Sequence, residues 1–154
     1  MSNKKYYDYS QVHGFCETLA TRLKGTNFDS VVGVSRGGLI PATIIAEHMN
    51  IRELRTVGVR SYQLNGLTKR SKSVLYQSCS PYLTGSVLLI DDISDTGETF
   101  KFLLDHFSKN KQITKIITCS LFVRRSSGFI PDYYHTDIIG NEWVVFPWEP
   151  DLVS

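Results

Sequence analysis

The stretch that decides the fold is VLLIDDISDTGETF, Val87 to Phe100. Its first four residues are apolar without alternation, the pattern of a strand covered on both faces in a parallel sheet. The strand is expected over Ser86–Ile90, ending on Asp91 and Asp92. A loop, Ile93 to Thr99, then turns into a helix whose apolar stripe is Phe100, Leu103, Leu104 and Phe107. In open parallel sheets ligands bind outside the carboxyl ends of the strands, which is where this loop lies. Gly97 permits a tight turn, amides of the loop and first helical turn point outward, and the helix dipole favours an anion there. The hydroxyls of Thr96 and Thr99 add donors without charge. Two carboxylates beside an anion seat call for a hard cation, most often magnesium held partly through water, with Asp91 and Asp92 as its ligands. Capping alone accounts for one acid and one threonine. It does not account for Asp91, Asp92 and Asp95 with two threonines around a single turn.

Outward from this stretch, strand and helix alternate. Ser30–Val34 is a short apolar run, Leu39–Met49 reads as helix, Arg55–Ser61 as strand and Lys115–Val123 as strand. That alternation predicts an α/β chain with a mostly parallel sheet. Ahead of it, Ser10 is the expected cap of a helix to Leu23, with Val12, Phe15, Cys16, Leu19 and Leu23 on one face. Tyr62 to Gly85 is polar, basic and nearly without pattern, and is expected to be a long loop of the functional or mobile kind. The final segment, broken by Pro131, Pro147 and Pro150 and rich in Tyr and Trp, is expected to pack with the N-terminal end on one side of the core.

VLLIDDISDTGET resembles the signature of type I phosphoribosyltransferases: four apolar residues, two acids, then a D-T/S-G-x-T/S loop. The resemblance covers nearly the whole chain and is nearest to the bacterial xanthine-guanine and hypoxanthine enzymes. It implies a Rossmann-like sheet flanked by helices in a single domain, with a core of roughly 25–123 and a small hood from 1–24 and 124–154. It implies transfer of ribose 5-phosphate from phosphoribosyl pyrophosphate to an oxopurine base. Asp91 and Asp92 would lie near the ribose hydroxyls and magnesium. Ile93, Ser94, Asp95, Thr96, Gly97, Glu98 and Thr99 would hold the 5-phosphate, and Asp95 would also handle the purine's proton. A second loop, Ser35-Arg36-Gly37-Gly38, follows a strand and precedes a helix; it would bind pyrophosphate and carry a non-proline cis peptide. Lys69, with Arg70 and Lys72, would reach pyrophosphate from the loop after the second strand. By position Arg124 replaces the family's lysine at the base's six-oxo group, Trp143 is the stacking aromatic, and Val144 supplies a carbonyl. Arginine is bulkier and planar, so the ranking of guanine, xanthine and hypoxanthine stays open. Trp148 and Arg125 read instead as a core residue and a solvated one. The resemblance further implies a homodimer or homotetramer.

Two other readings compete. Gly33-Val34-Ser35-Arg36-Gly37 fits G-x-S-x-G, the nucleophile elbow of α/β-hydrolases, and Asp92 or Asp95 followed by His106 or His135 completes the chain order of a triad. That reading leaves the aspartate loop without work. A regulator that only binds phosphoribosyl pyrophosphate needs the phosphate loop but neither Asp95 nor a base pocket.

The bulk composition excludes other classes. The 154 residues suit one domain, and 42% hydrophobic with 21% charged residues is an ordinary globular balance. With 17 basic against 15 acidic side chains the net charge is +2, which gives no general pull toward nucleic acid or an acidic membrane. The apolar runs are too short to cross a bilayer, and the N-terminus does not read as a secretory signal. Cys16, Cys79 and Cys119 form no CxxC, which fits reduced thiols in a cytoplasm. His13, His48, His106 and His135 form no HxxxH or HxH pair, so each is expected to be solvated or packed rather than a metal ligand.

Overall fold

The computed structural model describes residues 3–63 and 71–150. In chain order the elements are β1 (Asn3–Tyr6), α1 (Tyr9–Leu23), β2 (Ser30–Ser35), α2 (Leu39–His48), β3 (Leu54–Gln63) and β4 (Ser71–Gln77). A 3-10 turn at Ser80–Tyr82 leads to β5 (Gly85–Ser94), α3 (Glu98–Ser108), β6 (Ile113–Arg124), β7 (Tyr133–Ile138) and β8 (Glu142–Val145). The main sheet has six strands in the order β4-β3-β2-β5-β6-β7, and every pairing is parallel except β3 with β4. The α/β class with a mostly parallel sheet is therefore the observed one.

Both faces of β5 are buried, by different helices. Leu88 and Ile90 join Val31, Cys119 and Leu121 in a cluster closed by Val12, Cys16, Leu19 and Leu23 of α1 and by Ala42 and Ile45 of α2. Val87 and Leu89 point the other way, onto Phe100, Leu103 and Phe107 of α3, with Val32, Val34 and Val57. Leu103 and Phe107 are fully buried; truncating a residue of this kind to Ala costs about 2–5 kcal/mol through lost transfer energy and a residual cavity.

Four expectations change. The stretch after Tyr62 is not one loop: β3 runs on to Gln63 and β4 returns antiparallel to it, from Ser71 to Gln77. Its SKSVLYQ sequence is mixed and polar because β4 is an edge strand with a solvated side. β5 continues past Asp91 and Asp92 to Ser94, because Ile93 and Ser94 still pair with Phe122 and Val123 of the long β6. The cap of α1 is Asp8, not Ser10. Asp8 Oδ1 accepts the Gln11 N–H at 2.7 Å while Gln11 Oε1 accepts the Asp8 N–H at 2.9 Å, a reciprocal capping box. α1, placed in the hood from sequence, packs its apolar face into the main core. Only β1 and β8 form the second, two-stranded sheet, in parallel register from Asn3↔Glu142 to Tyr6↔Val145.

Candidate active site

The strand order reverses between β2 and β5. From β2 the chain moves to β3 on one side, and from β5 to β6 on the other. Such a switch point opens a crevice at the carboxyl ends of the two strands. Both anion-loop motifs leave from there, one from β2 and one from β5. They touch: a Cβ on Gly37 would overlap the Asp92 carboxylate, and one on Gly38 would stand 2.6 Å from the Ile90 carbonyl oxygen. Only glycine lets the backbones approach this closely. The peptide bond between Ser35 and Arg36 is cis. Arg36 itself is exposed at the mouth of the crevice.

At the end of β5, Asp91 is 9% exposed, and one of its oxygens accepts the Asp92 N–H at 2.9 Å. Burial pushes the Asp91 carboxyl well up from the ordinary carboxylate range, and the neighbouring Asp92 charge pushes it further. Burial also pushes Asp92 up, to about 6; the Glu149 charge adds to this, while hydrogen bonding to Asp91 and the backbone opposes it. Two desolvated carboxylates that resist ionising on their own are ionised readily by a cation. An all-oxygen donor pair that also leaves room for water fits a hard divalent ion such as magnesium better than a thiol- or imidazole-seeking one.

The loop beyond lines a cleft of about 200 Å³ formed by Asp91 to Gly97, Thr99 and Phe100. That is below the ~300–1,000 Å³ of sites that enclose a whole ligand; it has room for one group of a larger molecule. Gly97 caps α3 with φ +82°, a left-handed conformation that L side chains avoid, and a Cβ there would lie 2.6 Å from Phe129. Thr96 Oγ1 accepts the Glu98 N–H at 3.3 Å. Ser94 faces inward, its hydroxyl donating to the Phe129 carbonyl at 2.9 Å, so only its backbone borders the cleft. The packing of Ser127, Gly128 and Phe129 against this loop was not foreseen. The Gly128 N–H donates to the Thr96 carbonyl at 3.0 Å, and Phe129 stacks on Phe100 at 5.4 Å. Its signal in the sequence was the turn-forming Ser126-Ser127-Gly128.

Arg124, the last residue of β6, spans the site. Its Nε donates to Asp95 Oδ1 at 2.5 Å, one terminal nitrogen to the Gly140 carbonyl at 2.6 Å and the other to the Glu142 carbonyl at 3.0 Å. The guanidinium thereby joins the Asp95–Thr99 loop to the approach and start of β8. Beyond it on β8, Trp143 is 55% exposed and Val144 is buried. Trp148 packs against the core, stacked on Phe146 at 4.6 Å, whereas Arg125 is a surface residue paired with Asp137 through both oxygens.

Tyr76 of β4 was missed because its strand was read as loop. Its hydroxyl donates to Ser35 Oγ at 3.1 Å, and its ring covers Gly58. The His106 ring is bonded to Ser78 and the His135 ring to Thr136. Among the described residues no histidine is bonded to Ser35, so the hydrolase relay is not assembled. Lys69 and Arg70 lie outside the described residues, and nothing of the Lys72 side chain is described.

Known proteins are similar over this whole architecture. The phosphoribosyl transferase domain model matches residues 3–154. A xanthine-guanine phosphoribosyltransferase of Idiomarina loihiensis is 30% identical, covering 98% of this chain and 91% of its own. One from Cereibacter sphaeroides is 29% identical, covering 96% and 87%. The solved purine phosphoribosyltransferase of Pyrococcus horikoshii shares 29% identity at a TM-score of 0.80, covering 96% of this chain and 95% of that one.

Proposed function

We propose, from the premise that this chain belongs to the phosphoribosyl transferase domain family, that it is a purine-salvage enzyme. It would convert guanine, xanthine or hypoxanthine and phosphoribosyl pyrophosphate to the nucleoside 5-monophosphate and pyrophosphate. The observation that carries this reading is the meeting of the two anion loops at the switch point, with the buried Asp91 and the half-buried Asp92 between them and Asp95 held by Arg124.

In this reading the left-handed turn at Gly97, the hydroxyls of Thr96 and Thr99 and the α3 N-terminus seat the 5-phosphate. The loop Ser35–Gly38 and Arg36 hold the pyrophosphate, joined by Lys69. Asp91 and Asp92 face the ribose hydroxyls and hold magnesium, which supplies charge neutralisation for the leaving pyrophosphate. The ribose–pyrophosphate bond loosens toward an oxocarbenium-like state. Arg124 occupies one oxygen of Asp95, which leaves the other to accept the proton of the attacking purine nitrogen. The base lies between Arg124 and β8, with Trp143 on its face and the Val144 carbonyl at its edge. An arginine already holding Asp95 and two carbonyls offers the six-oxo group a fixed donor rather than a swinging one. The reading extends to one catalytic domain in the cytoplasm, assembled as a homodimer or homotetramer.

The test is a mass-spectrometric assay of purified protein with phosphoribosyl pyrophosphate, magnesium and a mixture of guanine, xanthine, hypoxanthine, adenine and orotate. Oxopurine nucleotides are expected, and their order reports the pocket made by Arg124. Binding of phosphoribosyl pyrophosphate without any nucleotide product would replace the enzyme by a regulator.

A further inference from the structure

Away from this site, α1 and α2 bring together three side chains that the sequence holds far apart. His13 and Glu17 lie one turn apart on α1, and His48 is the last residue of α2. Glu17 Oε1 stands 3.3 Å from His13 Nδ1 and 3.7 Å from His48 Nε2. The two imidazoles meet edge to face at 5.5 Å, and the three donor atoms all lie within 4.8 Å of one another. All three residues are exposed, so water and ions reach them freely.

We propose that His13, Glu17 and His48 form a binding site for a zinc-class divalent transition metal, which ties α1 to α2. Two imidazoles and one carboxylate are the donor set that zinc accepts in tetrahedral sites, with a water completing the shell. Donors at ~2.0–2.1 Å in such a tetrahedron stand about 3.3 Å apart, the spacing His13 and Glu17 already have. Small side-chain rotations bring His48 to the same spacing. The cation would also sit by the carbonyl end of α2, where the helix dipole favours positive charge. The donor chemistry separates this site from Asp91 and Asp92. Borderline nitrogen ligands select zinc, nickel or copper and reject magnesium, which the all-oxygen pair prefers. The thiols do not compete: Cys16, Cys79 and Cys119 are buried, and burial pushes all three up. Gly38 of the Ser35–Gly38 loop is the N-cap of α2, so the tie would fasten the helix that follows that loop.

The experiment is calorimetric titration of the full chain with zinc chloride at pH 7.5 in saturating magnesium, beside His13→Ala, Glu17→Gln and His48→Ala. The wild type should bind one zinc per chain with micromolar affinity, and each variant should lose at least about tenfold, the scale of a lost ligand interaction. Because the three residues are exposed, the metal-free variants should melt with the wild type. At a hundredfold excess of zinc over its dissociation constant, the wild type should gain about 5–10 °C in melting temperature and His48→Ala should gain much less. Wild-type protein that takes up no zinc, or variants that bind it as tightly as the wild type, would overturn the proposal.

Discussion

Replacing Arg124 by Met removes the guanidinium and keeps most of the apolar stem. Three charge-assisted hydrogen bonds disappear, to Asp95 and to the carbonyls of Gly140 and Glu142. In a dry interior each would be worth about 1.5–3 kcal/mol. The Arg124 side chain is 22% exposed, but Asp95 is 45% exposed and Gly140 lies at the surface, so water takes over part of each bond. The expected loss is therefore about 2–3 kcal/mol in total, a fall in melting temperature of about 4–12 °C for a chain of this size. The function should change asymmetrically. The bonds tie Asp95 to β8 and leave the Ser35–Gly38 loop untouched, so kcat/KM for the base should drop about 10–100-fold, the cost of a misplaced catalytic group. The dissociation constant for phosphoribosyl pyrophosphate should stay within about threefold. Arg124→Lys should fall between, since an ammonium reaches one or two of the three acceptors. The measurements are thermal melting, initial rates with each oxopurine, and equilibrium binding of phosphoribosyl pyrophosphate. A Met variant melting within about 1 °C of wild type, with base kinetics unchanged, would refute the assignment of Arg124 as the brace of Asp95.

Other expectations follow from the same geometry. Asp95→Asn should cut kcat by about 10²–10⁴-fold, the usual worth of a positioned proton acceptor, while leaving phosphoribosyl pyrophosphate binding intact; near-normal turnover would remove Asp95 from its role. Asp92 has a folded-state value of about 6, above the roughly 3.9 of an unfolded chain. Its stability contribution is thus full below about pH 4 and lost as pH rises through about 6. Asp92→Asn should lose activity with magnesium present, and in chelator it should be more stable than wild type by about 1–3 kcal/mol at pH 7.5, with the gap closing by pH 4; a gap independent of pH contradicts the burial argument. Gly97→Ala forces an L side chain to φ +82° and against Phe129. It should cost about 1–2 kcal/mol or more and weaken phosphoribosyl pyrophosphate binding at least tenfold, as read by calorimetry.

The sequence was most legible where one segment carries its own context. Val87–Ile90 announces a strand covered on both sides because apolar residues point to both faces, and the structure covers them with different helices. The loop Asp95–Thr99 is local chemistry, so its tight turn at Gly97 could be read directly, whereas no threonine side chain caps α3. Elements defined by distant partners were not legible. Ser71–Gln77 becomes a strand because Leu54–Gln63 offers an edge, which nothing in SKSVLYQ states. Ile93 and Ser94 stay extended because β6 is long enough to pair with them. Arg124 could be aligned with a family lysine, but its grip on carbonyls 16 and 18 residues onward is a property of the folded chain. The same holds for His13 and His48, which meet only through the packing of two helices.

The pairing of β1 with β8 joins residues 3–6 to residues 142–145, the most distant sheet partners among the described residues. Closing so long a loop carries the largest entropy cost in the fold, and contacts of that kind form late. During synthesis both anion loops would be complete before Trp143 and Val144 leave the ribosome, while the first strand waits unpaired. The side of the crevice assigned to pyrophosphate is thus made early and locally. The side assigned to the purine is a clasp fastened last, and it is the natural first place for the native protein to come undone.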